Sequence, residues 1–372
     1  YPEDLYGVLL ERKAFSFYRN THYVLPRAQR YILTDKGVRQ YHSVAKEVHQ
    51  DKPLKGHFLR AGHGEGDIYH TTLFVKILCL VANKIATLDP SGTGVEMEAD
   101  KPSWYDALNG LPGLLGSSVS ETFEIQRICR FLLEAIAEPA LKGEEMILIF
   151  EELAYFIVGL KSVLAAAEDP LEYWLKSNDV KEEYRRKIID GIDGKEKGCS
   201  VNEIREFLVL ALARAEKAAA SAKDAQGRLA TYFYNEVTEH KRQSDGKHVW
   251  PIKFRRHVLP AFLEGYVHAL RTVEDAAAAR KLYQQVRKSE LYDKKLKMYR
   301  VNADLSSESE EIGRARIFPP GWLENESIWL HMEYKFLLEL LRAGLYEEFF
   351  ENFRHVLIPF LNPEQYGRNI LE

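Results

Sequence analysis

The sequence predicts an all-α protein, an α/α toroid with its functional loops gathered at one end, a long helical insertion and a minor β ribbon. Helical periodicity dominates the chain, and sustained two-residue alternation is hard to find. The periodic segments, about 12–20 residues each, are joined by alternating short and long loops, the pattern of helices packed around a common axis.

Taken in order, the first helix is expected over Tyr69–Ala86. Ser118 with Glu121 reads as a capping box, opening a helix whose apolar face is Ile125, Ile128, Cys129, Leu132 and Ile136 and which Pro139 ends. Glu144–Leu164 is apolar almost all round at Ile147–Phe150 and Leu153–Val158, and predicts a long helix buried on several sides. Ser200 with Glu203 repeats the capping box before Ile204, Phe207, Leu208 and Ala211, with an Ala-rich continuation past Ala220. Trp329–Leu345, closed by Gly344, and Tyr346–Leu357 predict two neighbouring helices. Tyr299–Ala303 and Arg316–Phe318 are strand-like and are assigned to the ribbon. Three charge runs, Lys181–Lys187, Lys241–Lys247 and Ser306–Glu311, read as solvated helix faces and loops. The chain divides into residues 1–164, the first part of the toroid; 165–311, a helical insertion or extension; and 312–372, the second part of the toroid.

At 372 residues the chain exceeds the roughly 250–300 residues that one core sustains, so two domains or one closed architecture is expected. The 51 basic and 55 acidic residues leave a net charge of −4, which gives no electrostatic footprint for nucleic acid or an anionic membrane. No run of about 18 apolar residues and no signal peptide occurs. Cys79, Cys129 and Cys199 are isolated and read as buried free thiols, which fits a cytoplasmic protein. The chain starts at Tyr1 without Met and stops within YGRNILE, so a trimmed piece of a longer polypeptide is expected, acting with flanking domains and either alone or as a homodimer.

Two distant stretches carry the chemistry. KPSWYDALNG (Lys101–Gly110) and FPPGWLENESIWLH (Phe318–His331) each combine Trp, an acid or His, and an amide among Pro and Gly. That mixture suits a sugar site: aromatic faces cover the apolar side of a pyranose, amides and carboxylates bind hydroxyls, and a carboxyl can protonate a glycosidic oxygen. In the first stretch Gly110, Pro112, Gly113 and Gly116 prevent a helix, so Trp104, Tyr105, Asp106 and Asn109 fall on a structured loop. Wedged among Trp104, Tyr105 and Leu108, Asp106 would be partly desolvated, which favours the proton-carrying form a general acid needs. Equally, Asp106 could tie the loop through backbone amides. In the second stretch Trp322, Glu324, Asn325 and Trp329 are candidate sugar contacts. His331 starts a helix, where backbone N–H groups favour an anion; a satisfied core or capping histidine is the alternative.

WYDALNG resembles the W-N-D-G-M-N segment of the inverting phosphorylases of glycoside hydrolase family 94, the cellobiose and chitobiose phosphorylases and their relatives. PPGWLENESIWLH resembles that family's P-G-x-R-E-N-G-G-Q-Y-T-H segment without a gap. The resemblance implies a six-hairpin α/α toroid. It implies Asp106 as general acid, Trp104 as a sugar contact, Glu324 and Asn325 as substrate holders, and His331 as a phosphate contact. Tyr105 stands where the family has Asn, Ala107–Leu108 where it has Gly-Met, and Leu323 where it has Arg. The implied reaction is inverting phosphorolysis of a β-linked gluco-oligosaccharide to α-glucose 1-phosphate, with inorganic phosphate as co-substrate and no cofactor. The DALNGLPG variant looks closest to the 1,2-β-oligoglucan phosphorylases. Arg368 is a second phosphate candidate. The long stretch after residue 164 has no counterpart that aligns in the smaller disaccharide phosphorylases.

Two rivals remain. An inverting hydrolase on the same toroid needs a second carboxylate, for which Glu324 and Glu333 are candidates. A non-catalytic glycan-binding or scaffolding protein needs none. A third stretch, His57–Lys76, clusters His57, His63, His70, Arg60, Glu65 and Asp67 around three glycines. It could line the sugar cleft or form an ordinary turn; without a helix-borne H-x-x-x-H pair, no metal is expected there.

Overall fold

In a computed structural model the described residues are 7–19, 22–46, 56–101, 105–137, 143, 145–357, 360 and 362–366. The expected all-α toroid is not what they form. The chain is mixed α/β, with a four-stranded antiparallel sheet and several two-stranded ones among its helices.

The labelled elements are α1 (Leu73–Ile85), β1 (Val95–Glu96), β2 (Gly116–Ser118), α2 (Val119–Ala135), β3 (Met146–Phe150), α3 (Glu151–Ala166), α4 (Pro170–Ile188), β4 (Glu196–Ser200), α5 (Val201–Ser221), β5 (Tyr232–Arg242), β6 (Val249–Val258), α6 (Leu263–Leu270), α7 (Ala276–Lys288), β7 (Tyr292–Asp293), β8 (Met298–Tyr299), α8 (Leu330–Arg342) and α9 (Tyr346–Val356). Before α1, short ribbons pair Phe15–Ser16 with His70–Thr71, His22–Val24 with Val44–Lys46, and Ile32–Thr34 with Gly37–Arg39.

The sheet runs in the order β6-β5-β2-β1. Its long hairpin, β5 and β6, lies inside the expected helical insertion and corrects that assignment. Aromatic and β-branched residues favour a pleated strand, and Asp245–Gly246 is a strong hairpin signal. Asp245 accepts from the amides of Lys247 and His248, both at 2.9 Å, and Gly246 takes φ 71°. The run Lys241–Lys247 is therefore a strand end and turn, not a helix face.

The long helix expected over Glu144–Leu164 is likewise divided. Met146–Phe150 pairs antiparallel with Glu196–Ser200, and α3 begins only at Glu151. A five-residue apolar run has no period to distinguish strand from helix, and the β4 partner decides it. The ribbon expected at Tyr299–Ala303 exists in part, as β8 against β7, whereas Arg314–Arg316 is a 3-10 turn.

Other helices follow their sequence signals. Ser200 and Glu203 form the capping box of α5, and Ile204, Phe207, Leu208 and Ala211 are buried. Ser118 caps α2 by accepting from Ser120 N at 3.3 Å, but Glu121 leaves the cap for Lys84, 2.6 Å away. α8 and α9 pack together across Gly344, whose φ of 75° reverses the chain.

Two large apolar cores result. One joins α1, α3, α4 and most of α2 and α5; the other joins the 105–115 loop, β5, α6, α7, α8 and β8. Helix α2 serves both, turning Phe123 to the second core and Cys129 to the first. All three cysteines are buried free thiols, and burial pushes Cys79 up to about 11. Among the described residues no helix is long and apolar enough to cross a membrane.

Candidate functional site

The site is built where two loops interlock on the second core. The first runs through a 3-10 turn at Asp106–Leu108 and another at Pro112–Leu114 before entering β2. The second holds the 3-10 turns Glu310–Ile312 and Arg314–Arg316. A Cβ on Gly110 would stand 1.7 Å from the Glu311 carbonyl oxygen. Gly313, at φ 124°, would bring a Cβ within 2.4 Å of the Ala107 carbonyl oxygen. Only glycines let these backbones approach so closely. Gly110→Ala is therefore expected to lower stability by at least ~2 kcal/mol, because a backbone cannot yield as a side chain can. Thermal denaturation checks this, and an unchanged Tm would refute the contact.

The interlock sets Arg314 beside Asp106, Nη2 to Oδ2 at 2.9 Å, with Glu324 Oε1 at 3.6 Å from the same Nη2. Asp106 is 68% exposed at its side chain, so the expected desolvation among aromatics is not found. Loop and guanidinium hold it at the cavity edge, with neither the Tyr105 nor the Leu108 side chain closing over it.

One small cavity, about 220 Å³, is lined by residues of both motifs: Tyr105 and Asp106 from the first, Glu324, Trp329 and His331 from the second. Glu264 from α6 completes its polar lining, with Val301 and Met332 as apolar wall. Asp106 also borders a cleft of about 670 Å³ beside Arg39, Tyr41, Lys101 and Asn109. Arg39 grips Glu311 through two hydrogen bonds of 3.0 Å and fixes one side of that cleft.

The remaining expected contacts divide. Tyr105 is buried, edge-on to Phe262, and burial raises its hydroxyl above the usual range. That hydroxyl donates to the Glu324 carbonyl oxygen, so Tyr105 joins the motifs through structure rather than offering a free group to sugar. Asn302 Nδ2 donates to the same carbonyl at 3.2 Å. Glu324 thus has a fixed backbone and a carboxylate 13% exposed. Asn325 does not reach the cavity: 4% exposed, it donates to the Phe318 carbonyl at 2.7 Å and closes the turn. Trp322 is 55% exposed and packs edge-on against Phe318, outside the cavity lining. Trp329 lines the cavity, its indole N–H donating to Leu323 O at 3.0 Å and its ring 5.3 Å from that of His331. His331 is the second residue of α8 and exposed. Asn109 lines the larger cleft, not the small cavity. Trp104 and Arg368 lie outside the described residues.

Glu333, a candidate second carboxylate, is fully buried under β8, accepting from Tyr299 N at 3.2 Å, and burial pushes it up to about 8. It lines neither cavity. The His57–Lys76 stretch also lies elsewhere: Gly62 and His63 donate their amides to Asp193 and Ile192, each at 2.9 Å, so the segment is a docked turn. Among the described residues no group of three or more His, Cys, Asp or Glu is arranged to hold a metal ion.

Sequence reasoning missed Arg314 and Glu264. Arg314 lies four residues before Phe318, outside the motif, and only the Gly110–Gly313 contact aims it. Glu264 lies in an ordinary amphipathic helix. No protein-family model and no curated protein matches this chain.

Proposed function

We propose that the chain cleaves a β-gluco-oligosaccharide by inverting phosphorolysis, giving α-glucose 1-phosphate. The observation that carries this reading is the meeting of Asp106, Glu324, Trp329 and His331, from stretches 219 residues apart at their closest hydrogen bond, around one cavity. Asp106 would protonate the departing glycosidic oxygen, Trp329 would cover a sugar face, and Glu324 would hold hydroxyls. A phosphate dianion needs cations. Arg314 supplies one at the cavity edge, beside His331.

Phosphate is favoured over water as nucleophile by the carboxylate geometry. Asp106 and Glu324 touch the same Arg314 nitrogen at 2.9 and 3.6 Å, so those two oxygens are no farther apart than the sum of these distances. Inverting hydrolases place theirs about 6.5–9.5 Å apart to admit a water, so this pair reaches the lower limit only if fully splayed. Glu333, in the core, is no substitute.

Arg314→Gln is expected to raise the KM for phosphate about tenfold or more while changing the KM for the glycan less than threefold. His331→Ala should shift the same parameter in the same direction. Equal effects on both substrates would assign these residues to sugar binding or to structure.

A further inference from the structure

The cavity between the motifs has a neighbour of about 250 Å³, lined by Ser120, Glu124, Glu264, His268, Arg271 and Lys335 among others. Glu264 and Met332 line both, so they form the shared wall. Glu264 is 6% exposed and accepts the Tyr232 hydroxyl, whose ring lies 6.2 Å from that of Tyr105. One helical turn later, His268 Nε2 stands 3.9 Å from Glu264 Oε1. The other ring nitrogen, Nδ1, is 2.7 Å from Glu124 Oε1, an oxygen that also takes Arg271 Nη1 at 3.0 Å. An imidazole between two carboxyls is a proton carrier, and these carboxyls differ. Burial raises Glu264 above its ordinary range. Burial works against Glu124 too, but hydrogen bonds from His268 and Arg271 outweigh it and bring it down to about 2. Two carboxyls pushed apart in this way divide into a proton holder and a permanent anion.

We infer that Glu264 supplies protons to the cavity, exchanging them with His268 through the shared wall. The role rests on the proposed phosphorolysis, in which Asp106 loses its proton to the leaving oxygen at every turnover and must regain one. A proton passes from the Glu264 carboxyl to the Asp106 carboxylate, one O–H bond breaking as another forms. His268 Nε2–H then returns a proton to Glu264 and is itself reprotonated from solvent in the second cavity. The groups facing Glu264 are Tyr232 from β5, Tyr105 and Asp106 from the first loop, and Ser120, Glu121 and Glu124 from α2. From α8 come His331 and Lys335, and Glu324 and Arg271 complete the surroundings of the two cavities.

The test measures the pH dependence of kcat in the Glu264→Gln, Glu264→Asp and His268→Asn variants, alongside carboxyl titration by ¹³C NMR with labelled glutamate. Glu264→Gln should lower kcat about tenfold or more with the glycan KM unchanged, and Glu264→Asp should recover part of the loss. His268→Asn should lower kcat by a factor that grows as pH rises. In that variant the Glu264 carboxyl should titrate higher still, because the imidazolium that holds it down is gone. A wild-type pH profile in Glu264→Gln overturns the inference, as does a Glu264 titration unmoved by His268→Asn. The titration reads the link even if the protein turns over no glycan, a result that would sink the phosphorolysis reading separately.

Discussion

Replacing Asp106 with Asn is expected to lower turnover about 10²-fold or more while leaving glycan binding within a factor of a few. Asn keeps the shape and can still contact a sugar hydroxyl, but it has no proton to give to a departing oxygen. The competing role is mechanical: Asp106 might be thought to matter because it ties the first loop to Arg314. That tie joins a 68% exposed side chain to a 40% exposed one, and exposed pairs contribute at most ~1 kcal/mol. The glycine interlock, not the ion pair, holds the loops together. A large loss of turnover with a nearly unchanged Tm therefore marks a chemical role. Near-normal turnover would remove Asp106 from the mechanism. A carboxylate engaged by a guanidinium has to leave it before carrying a proton, so phosphate arriving at Arg314 would release the acid as it binds.

The second large effect concerns stability. Glu333 is pushed up to about 8 in the fold by burial, against an ordinary 4.5. Between those values the folded chain holds a proton that the unfolded chain has lost, so stability is full below about pH 4.5 and falls as pH rises toward 8. Glu333→Gln cannot ionise, and its Oε1 can still accept the Tyr299 amide. The variant should match the wild type near pH 5 and exceed it above pH 8, by as much as ~4 kcal/mol. Parallel denaturation curves for the two proteins across this range would show that Glu333 is not a buried proton holder.

The helices with caps and an amphipathic face were legible in the sequence: α5 from Ser200 and Glu203, α2 from Ser118 and its Ile125–Leu132 face, α8 and α9 from the Gly344 break. The sheets were not. Met146–Phe150 is a strand only because Glu196–Ser200 lies beside it, a contact of long range that no local pattern encodes. In β5 the residues beyond Asn235 are mostly solvated, so charged side chains sit where a half-buried strand would alternate. The turn at Asp245–Gly246 was the readable signal, hidden within a charge run.

At the site, residue types marked the two motifs, because Trp, acid and amide among Pro and Gly are poor core material. Their individual roles were less visible. Tyr105 and Asn325 have the chemistry of sugar contacts, yet their polar groups are used by the Glu324 and Phe318 carbonyls. Glu333 has the chemistry of a catalytic acid but points into the core. Arg314 is placed by backbone contacts between glycines 203 positions apart, Gly110 and Gly313, and composition around the arginine does not reveal its partner.

The most direct test of the account is to incubate the protein with β-linked gluco-oligosaccharides, 1,2-linked ones first, with and without inorganic phosphate, and to assay both glucose 1-phosphate and free glucose. The account predicts glucose 1-phosphate of α configuration only when phosphate is present, and chain lengthening when glucose 1-phosphate and an acceptor are supplied instead. Free glucose released at the same rate without phosphate would contradict it and establish hydrolysis.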